Sequence, residues 1–176
     1  MSQATTDTTE LLAAALDRAR DGHHDVVDTE ARDDVLREAE RNAYDGASTD
    51  EAYDALLGAL TGRIDRHPAY KSVAARVLRE RLERRLVDDY DPGDREAAYR
   101  DALRDGVRQG LDAGLLDERM GDYDLDRLAD ALVPERDDRL DYMAVETLRQ
   151  RYFLREPDGD PFELPQTFWM RVAMGV

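Results

Sequence analysis

Few residues in this chain combine a reactive type with a useful spacing. His23-His24 stands beside Asp21 and Asp25, but adjacent side chains point apart, whereas a metal needs ligands that converge at fixed geometry. That segment reads as an exposed loop. His67 precedes Pro68, where a histidine suits the start of a helix, and no nucleophile stands at catalytic spacing from it. The pairs Asp33-Asp34, Asp88-Asp89 and Asp137-Asp138 could supply two carboxylates for acid/base chemistry. Such pairs work where an apolar pocket separates their pKa values. These three lie among other charges, so a solvated face is expected for each.

Gly106, Gly110 and Gly114 recur every four residues in a polar helix. That spacing suits fraying or close packing better than a phosphate cradle. There is no dinucleotide fingerprint, Walker loop, nucleophile elbow or His-Glu-x-x-His pattern. The chain has no cysteine, which excludes disulfides, thiolate metal ligands and thiol or thiyl chemistry by its own residues. No catalytic, cofactor-binding or metal-binding residue is therefore assigned.

The elements that would position side chains read as helices. Leu11, Leu12, Ala15, Leu16 and Ala19 recur at helical spacing after a Ser/Thr/Asp-rich stretch, residues 1–8, expected to be a disordered tail. A second helix runs from about Thr29 to Asn42, and Tyr44-Asp45-Gly46 supplies a turn. Ser48 with Glu51 forms a capping box ahead of the apolar face Tyr53, Leu56, Leu57, Leu60 and Ile64. Pro68 opens a fourth helix carrying Val73, Ala74, Val77, Leu78, Leu82 and Leu86. Asp94 caps a fifth with Ala97, Ala98, Leu103 and Val107, and Asp124 a short one with Leu125, Leu128 and Leu132. Pro134 separates that from a longer helix bearing Leu140, Met143, Val145, Leu148 and Tyr152. Phe153-Leu154 and Phe162 flank Pro157-Asp158-Gly159-Asp160, which predicts a small β-hairpin.

The fold class expected is mainly α, an irregular bundle of about seven helices with that one hairpin. Residues 9–152 read as one helical domain, and 153–176 as the hairpin and the start of a further helix. That last helix, from Pro165, sets Phe168, Trp169, Met170, Val172 and Met174 close together in an otherwise polar chain, and no C-cap is recognised before Val176. Burial of these five against a domain outside the chain is expected.

Composition narrows the function classes. With 176 residues, 41% of them hydrophobic, the chain can build one core. Its 41 acidic against 25 basic residues give a net charge of -16, which repels nucleic-acid phosphate. Lys71 is the only lysine and aspartate dominates the acids, a balance suited to a salt-rich cytoplasm. The start of the chain has no signal-peptide pattern and no run approaches a membrane span, so a cytoplasmic protein with neither nucleic-acid nor membrane partners is expected.

Several segments, taken in order, resemble the amino-terminal helical region of the ribonucleotide reductase large (alpha) subunit, with particular likeness to the haloarchaeal form. They are Asn42-Ala43-Tyr44-Asp45-Gly46, His67-Pro68-Ala69-Tyr70 with Ala74-Ala75-Arg76, and Tyr123-Asp124-Leu125 with Pro134-Glu135-Arg136-Asp137. The strongest block is Tyr142-Met143-Ala144-Val145-Glu146-Thr147-Leu148, Arg151-Tyr152, and Leu164-Pro165-Gln166 leading into Met170-Arg171-Val172-Ala173-Met174-Gly175. Ala144 and Arg149 depart from the glycine and tyrosine expected there, and no ATP-cone pattern precedes residue 40. In that family the helical region precedes an α/β barrel whose cysteines reduce the ribose through a thiyl radical.

The resemblance implies a scaffolding segment, with Phe168, Trp169, Met170, Val172 and Met174 packed on the barrel portion of the same subunit. It also implies that the complete enzyme, a dimer in the family manner, needs a radical source, adenosylcobalamin or a metal-radical subunit, and nucleotide effectors, none of them held by this chain. Two other classes stay open on the residues alone. One is a free-standing acidic helical adaptor that seats its apolar terminal helix in a partner's groove. The other is a small hydrolase using Asp, Glu or His, which would show turnover by the purified chain.

Overall fold

The computed structural model describes residues 3–44, 46–156 and 159–175, with side chains from Thr8 onward. Among the described residues eight α-helices follow one another: α1 (Gln3–Ala19), α2 (Thr29–Asn42), α3 (Thr49–Thr61), α4 (Ala69–Leu86), α5 (Arg95–Asp112), α6 (Leu125–Ala129), α7 (Tyr142–Arg151) and α8 (Pro165–Met174). Two 3-10 segments, Glu118–Asp122 and Pro134–Arg139, stand between α5 and α7. The fold is mainly α, as the helical spacing predicts.

Local signals account for most helix starts. Asp28 accepts from the Ala31 amide at 2.9 Å, Asp94 from Ala97 at 3.0 Å and Asp124 from Arg127 at 3.1 Å. At α3 the capping box closes both ways, Glu51 N–H donating to Ser48 Oγ and Ser48 N–H to Glu51 Oε2. Each bond pairs a backbone donor that the first turn would otherwise leave open. His67 plays the helix-start role expected of it, its Nδ1 accepting from the Ala69 amide at 3.1 Å.

Three elements differ from the sequence expectation. α1 begins at Gln3, so the backbone of residues 3–8 is helical rather than a tail. Once a helical nucleus exists, each further residue adds a hydrogen bond at little cost, and this stretch has no Gly or Pro to stop it. The helix expected to bear Leu140 through Tyr152 is shorter at both ends, because α7 spans Tyr142–Arg151 and Pro134–Arg139 ahead of it forms a separate 3-10 turn. The hairpin is reduced to one antiparallel bridge, Arg155 with Pro161, extended by Phe162 N–H donating to Leu154 C=O at 3.0 Å. Pro161 has no N–H to continue a ladder. The turn residues Pro157 and Asp158 lie outside the described residues.

The chain divides into two compact units, Met1–Arg81 with Leu140–Met143, and Leu82–Arg139 with Ala144–Val176. In the first, α2 packs on α3 and α1 on both. Leu16, Val35, Leu56, Leu60, Val73 and Leu78 are buried at its centre. Its part of α4 is tied in by charge: Arg18 makes a two-pronged pair with Glu80 at 3.1 and 2.6 Å, which also accepts from the Tyr53 hydroxyl at 3.0 Å. Arg76 donates to the carbonyls of Ala19 and Asp21, partners for the open end of α1. In the second unit, Leu103, Val107, Met120, Ala129 and Met174 form a buried cluster, flanked by Leu111, Leu116, Leu125, Leu128, Leu132 and Met170.

Candidate interaction surface

The segment after α7 is built around a buried acid. Glu163 is 3% exposed. It accepts from the Leu154 amide at 2.7 Å and from Arg171 through Nε at 2.5 Å and a terminal nitrogen at 3.0 Å. Arg171 also donates to the Tyr152 carbonyl at 3.2 Å, and its guanidinium lies 5.2 Å from the centre of the Phe168 ring, close enough for a cation–π contact. One ion pair thereby joins the bridge segment to the outer turn of α8.

The start of α8 follows from Leu164-Pro165-Gln166-Thr167. Pro165 sits at the first helical position, where its missing N–H leaves nothing unpaired. Leu164 N–H donates to Thr167 Oγ1 at 2.8 Å, and that hydroxyl donates to the Leu164 carbonyl at 3.0 Å. Gln166 pairs with both backbone groups of Val133, accepting from its N–H at 3.1 Å and donating to its carbonyl. A side-chain amide here completes the backbone pairing of a residue 33 positions away.

The five residues expected to pack outward divide into two sets. Phe168 is buried, its ring 5.9 Å from Phe153, 6.1 Å from Tyr152 and edge-on to Trp169 at 4.7 Å. Met174 is buried in the α5–α6 cluster, and Met170 packs against that cluster while half-buried. Trp169 and Val172 remain 52% and 39% exposed, and the neighbouring Tyr152 is 55% exposed. α8 therefore presents two faces, one already covered by its own unit and one bearing Trp169 and Val172. The helix also has the C-terminal closure not expected from sequence: Gly175 N–H donates to the Arg171 and Val172 carbonyls at 3.2 Å, and Tyr123 donates to the Met174 carbonyl at 2.9 Å.

A second polar cluster lies within the same unit. Glu83, 1% exposed, accepts from the Tyr90 hydroxyl at 2.5 Å and from Arg95 Nε at 3.2 Å. Arg95 also donates to the Pro134 carbonyl, and Tyr99 donates to Asp137 at 2.6 Å. Burial, and then the nearby Glu83 and Asp137 carboxylates, push the Tyr99 phenol well above its ordinary pKa, so it stays a neutral donor. Burial opposes charge on Arg95, but the Glu83 and Asp138 carboxylates more than offset it and raise its pKa. Asp137 corrects the expectation of a solvated pair: it is 2% exposed, because the chain folds it onto the Tyr99 hydroxyl. Each of these groups is engaged in holding the end of α4, the start of α5 and the Pro134–Arg139 turn together. The cluster acts as a structural tie.

The other candidates take up the roles the chain pattern suggests. Asp33, Asp34, Asp88 and Asp89 are exposed. His24 is exposed with Nε2 3.7 Å from Asp21, and His23 is half-buried in the same turn. The glycine repeat serves close packing and capping: a Cβ on Gly110 would stand 2.6 Å from Leu116 Cδ1, and Gly114 adopts φ +66° just beyond α5. Gln166 stands in the Leu164-Pro165-Gln166 block of the resemblance, whereas Glu163, which holds the surface in place, is not singled out by any sequence pattern.

Comparison with known proteins bears on this segment directly. Residues 138–176 match the family described as ribonucleotide reductase, all-alpha domain. Over 140 residues, 77% of the chain, it is 37% identical to the ribonucleoside-diphosphate reductase subunit alpha of Chlamydia muridarum, covering 13% of that protein. The subunit alpha of Helicobacter pylori strain 26695 is 30% identical over 74% of the chain and 16% of its own length. The large subunit of Arabidopsis thaliana is 27% identical over 76% of the chain, again 16% of its length. The chain thus spans about a seventh of the length of the relatives it matches. By these matches the chain is similar to part of the ribonucleoside-diphosphate reductase large subunit, with residues 138–176 matching its all-α domain.

Proposed function

We propose that the chain is a non-catalytic scaffold within a ribonucleotide reductase large subunit whose complete form reduces ribonucleotides to deoxyribonucleotides for DNA synthesis. The observation that carries this reading is the match of residues 138–176 to the all-α domain, supported by the 37% identity along most of the chain. With no cysteine among its residues, the chain leaves ribose reduction to the rest of the subunit. The radical source, whether adenosylcobalamin or a metal-radical subunit, and the nucleotide effectors act there as well, and the complete subunit works as a dimer. Residues 9–152 form the helical domain in this reading, and 153–176 lead toward the barrel portion.

The partner is that barrel portion, and the contact is the α8 face. Trp169 and Val172 meet it directly, with Met170 at the edge and Phe168 and Met174 supporting them from behind. Burying the exposed half of an indole gains on the order of 2 kcal/mol at about 25 cal/mol per Å². The arginine-rich, aspartate-rich composition with net charge -16 supports a haloarchaeal type working in a salt-rich cytoplasm.

Trp169 is the only tryptophan, so its fluorescence reports on docking without a label. Mixing the chain with a cysteine-bearing barrel portion at high salt is expected to shift the emission to the blue and to form a complex by gel filtration. Trp169→Asp should weaken that complex by about 30-fold or more, the loss typical of a buried tryptophan anchor. Complex formation unchanged by this substitution would overturn the assignment of the α8 face.

A further inference from the structure

We draw no further inference here: the strongest candidate, the exposed aromatic face of α8 and its preceding segment formed by Tyr152, Trp169 and Val172, belongs to the surface already assigned above, and nothing in the structure shows what else covers it.

Discussion

Glu163 decides how α8 is held, and its substitution separates charge from shape. Glutamine keeps the size but removes the counter-charge from Arg171, whose side chain is only 18% exposed, and turns an amide donor toward other donors. Removing one member of a buried pair costs about 3–5 kcal/mol, because the survivor stays charged and desolvated. Glu163→Gln is therefore expected to lower unfolding stability by roughly 3 kcal/mol in urea titrations. A loss below about 1 kcal/mol would mean that water already shares the pair, as for exposed ion pairs. Asp17 supplies a second residue-scale test. Its bonds to Arg32, opposed by partial burial and reinforced by Arg20, hold its carboxyl below the ordinary aspartate pKa. A depressed folded pKa adds stability that is present above the unfolded value and lost as pH falls through the folded value. Acid titration of the wild-type chain should lose this contribution below the usual aspartate range, and Asp17→Asn should flatten that part of the curve. An identical acid profile in the variant would show that the pair contributes nothing measurable.

Helix starts and glycine positions make the element scale testable. Gly58 lies exposed within α3, and a Cβ placed there would meet nothing within 4 Å, so Gly58→Ala removes only backbone freedom from the unfolded chain. It should raise stability by about 0.5–1 kcal/mol. Gly110 has the same helical conformation, but its Cβ would overlap Leu116, which packs against the Leu103–Val107 cluster. There the steric cost of about 1–3 kcal/mol exceeds the propensity gain, and Gly110→Ala should lower the thermal midpoint. Equal effects of the two substitutions would sink the close-packing explanation of the glycine repeat. The caps at Ser48, Asp94 and Asp124 were legible in the sequence because a cap lies three residues from the amide it serves. The 3-10 turn Pro134–Arg139 ahead of α7 was not legible, since it accompanies the burial of Asp137 against Tyr99, 38 residues away.

At the scale of the whole molecule, the net charge of -16 sets the response to salt. Surface ion pairs such as Arg108–Asp105 and Arg37–Asp34 contribute about 0–1 kcal/mol each and weaken when screened. Repulsion among the excess carboxylates acts over longer distances and is screened first, the Debye length falling from about 10 Å at 0.1 M to about 3 Å at 1 M. The repulsive sum should win, so the melting temperature is expected to rise between about 0.1 and 2 M NaCl. A falling melting temperature across that range would contradict the salt-adapted reading of the composition. Among the described residues no helix is long and apolar enough to cross a membrane.

By itself the sequence determined the helical fold class, the position of most caps, the acidic character of the surface and the exclusion of thiol chemistry from these residues. Each of these depends on composition or on neighbours within one helical turn. It also carried the likeness to the reductase family, with residues 138–176 matching the all-α domain. The tertiary structure decided which of the five α8 residues remain exposed, since Phe168 finds Phe153 and Met174 finds Met120 only through chain reversal. It alone decided that Asp137 and Glu163 are buried, because their partners converge from distant segments and no local spacing encodes that geometry. Trp169 and Val172 stay exposed for the same reason: α8 has two apolar faces, and the packing within its own unit covers one of them.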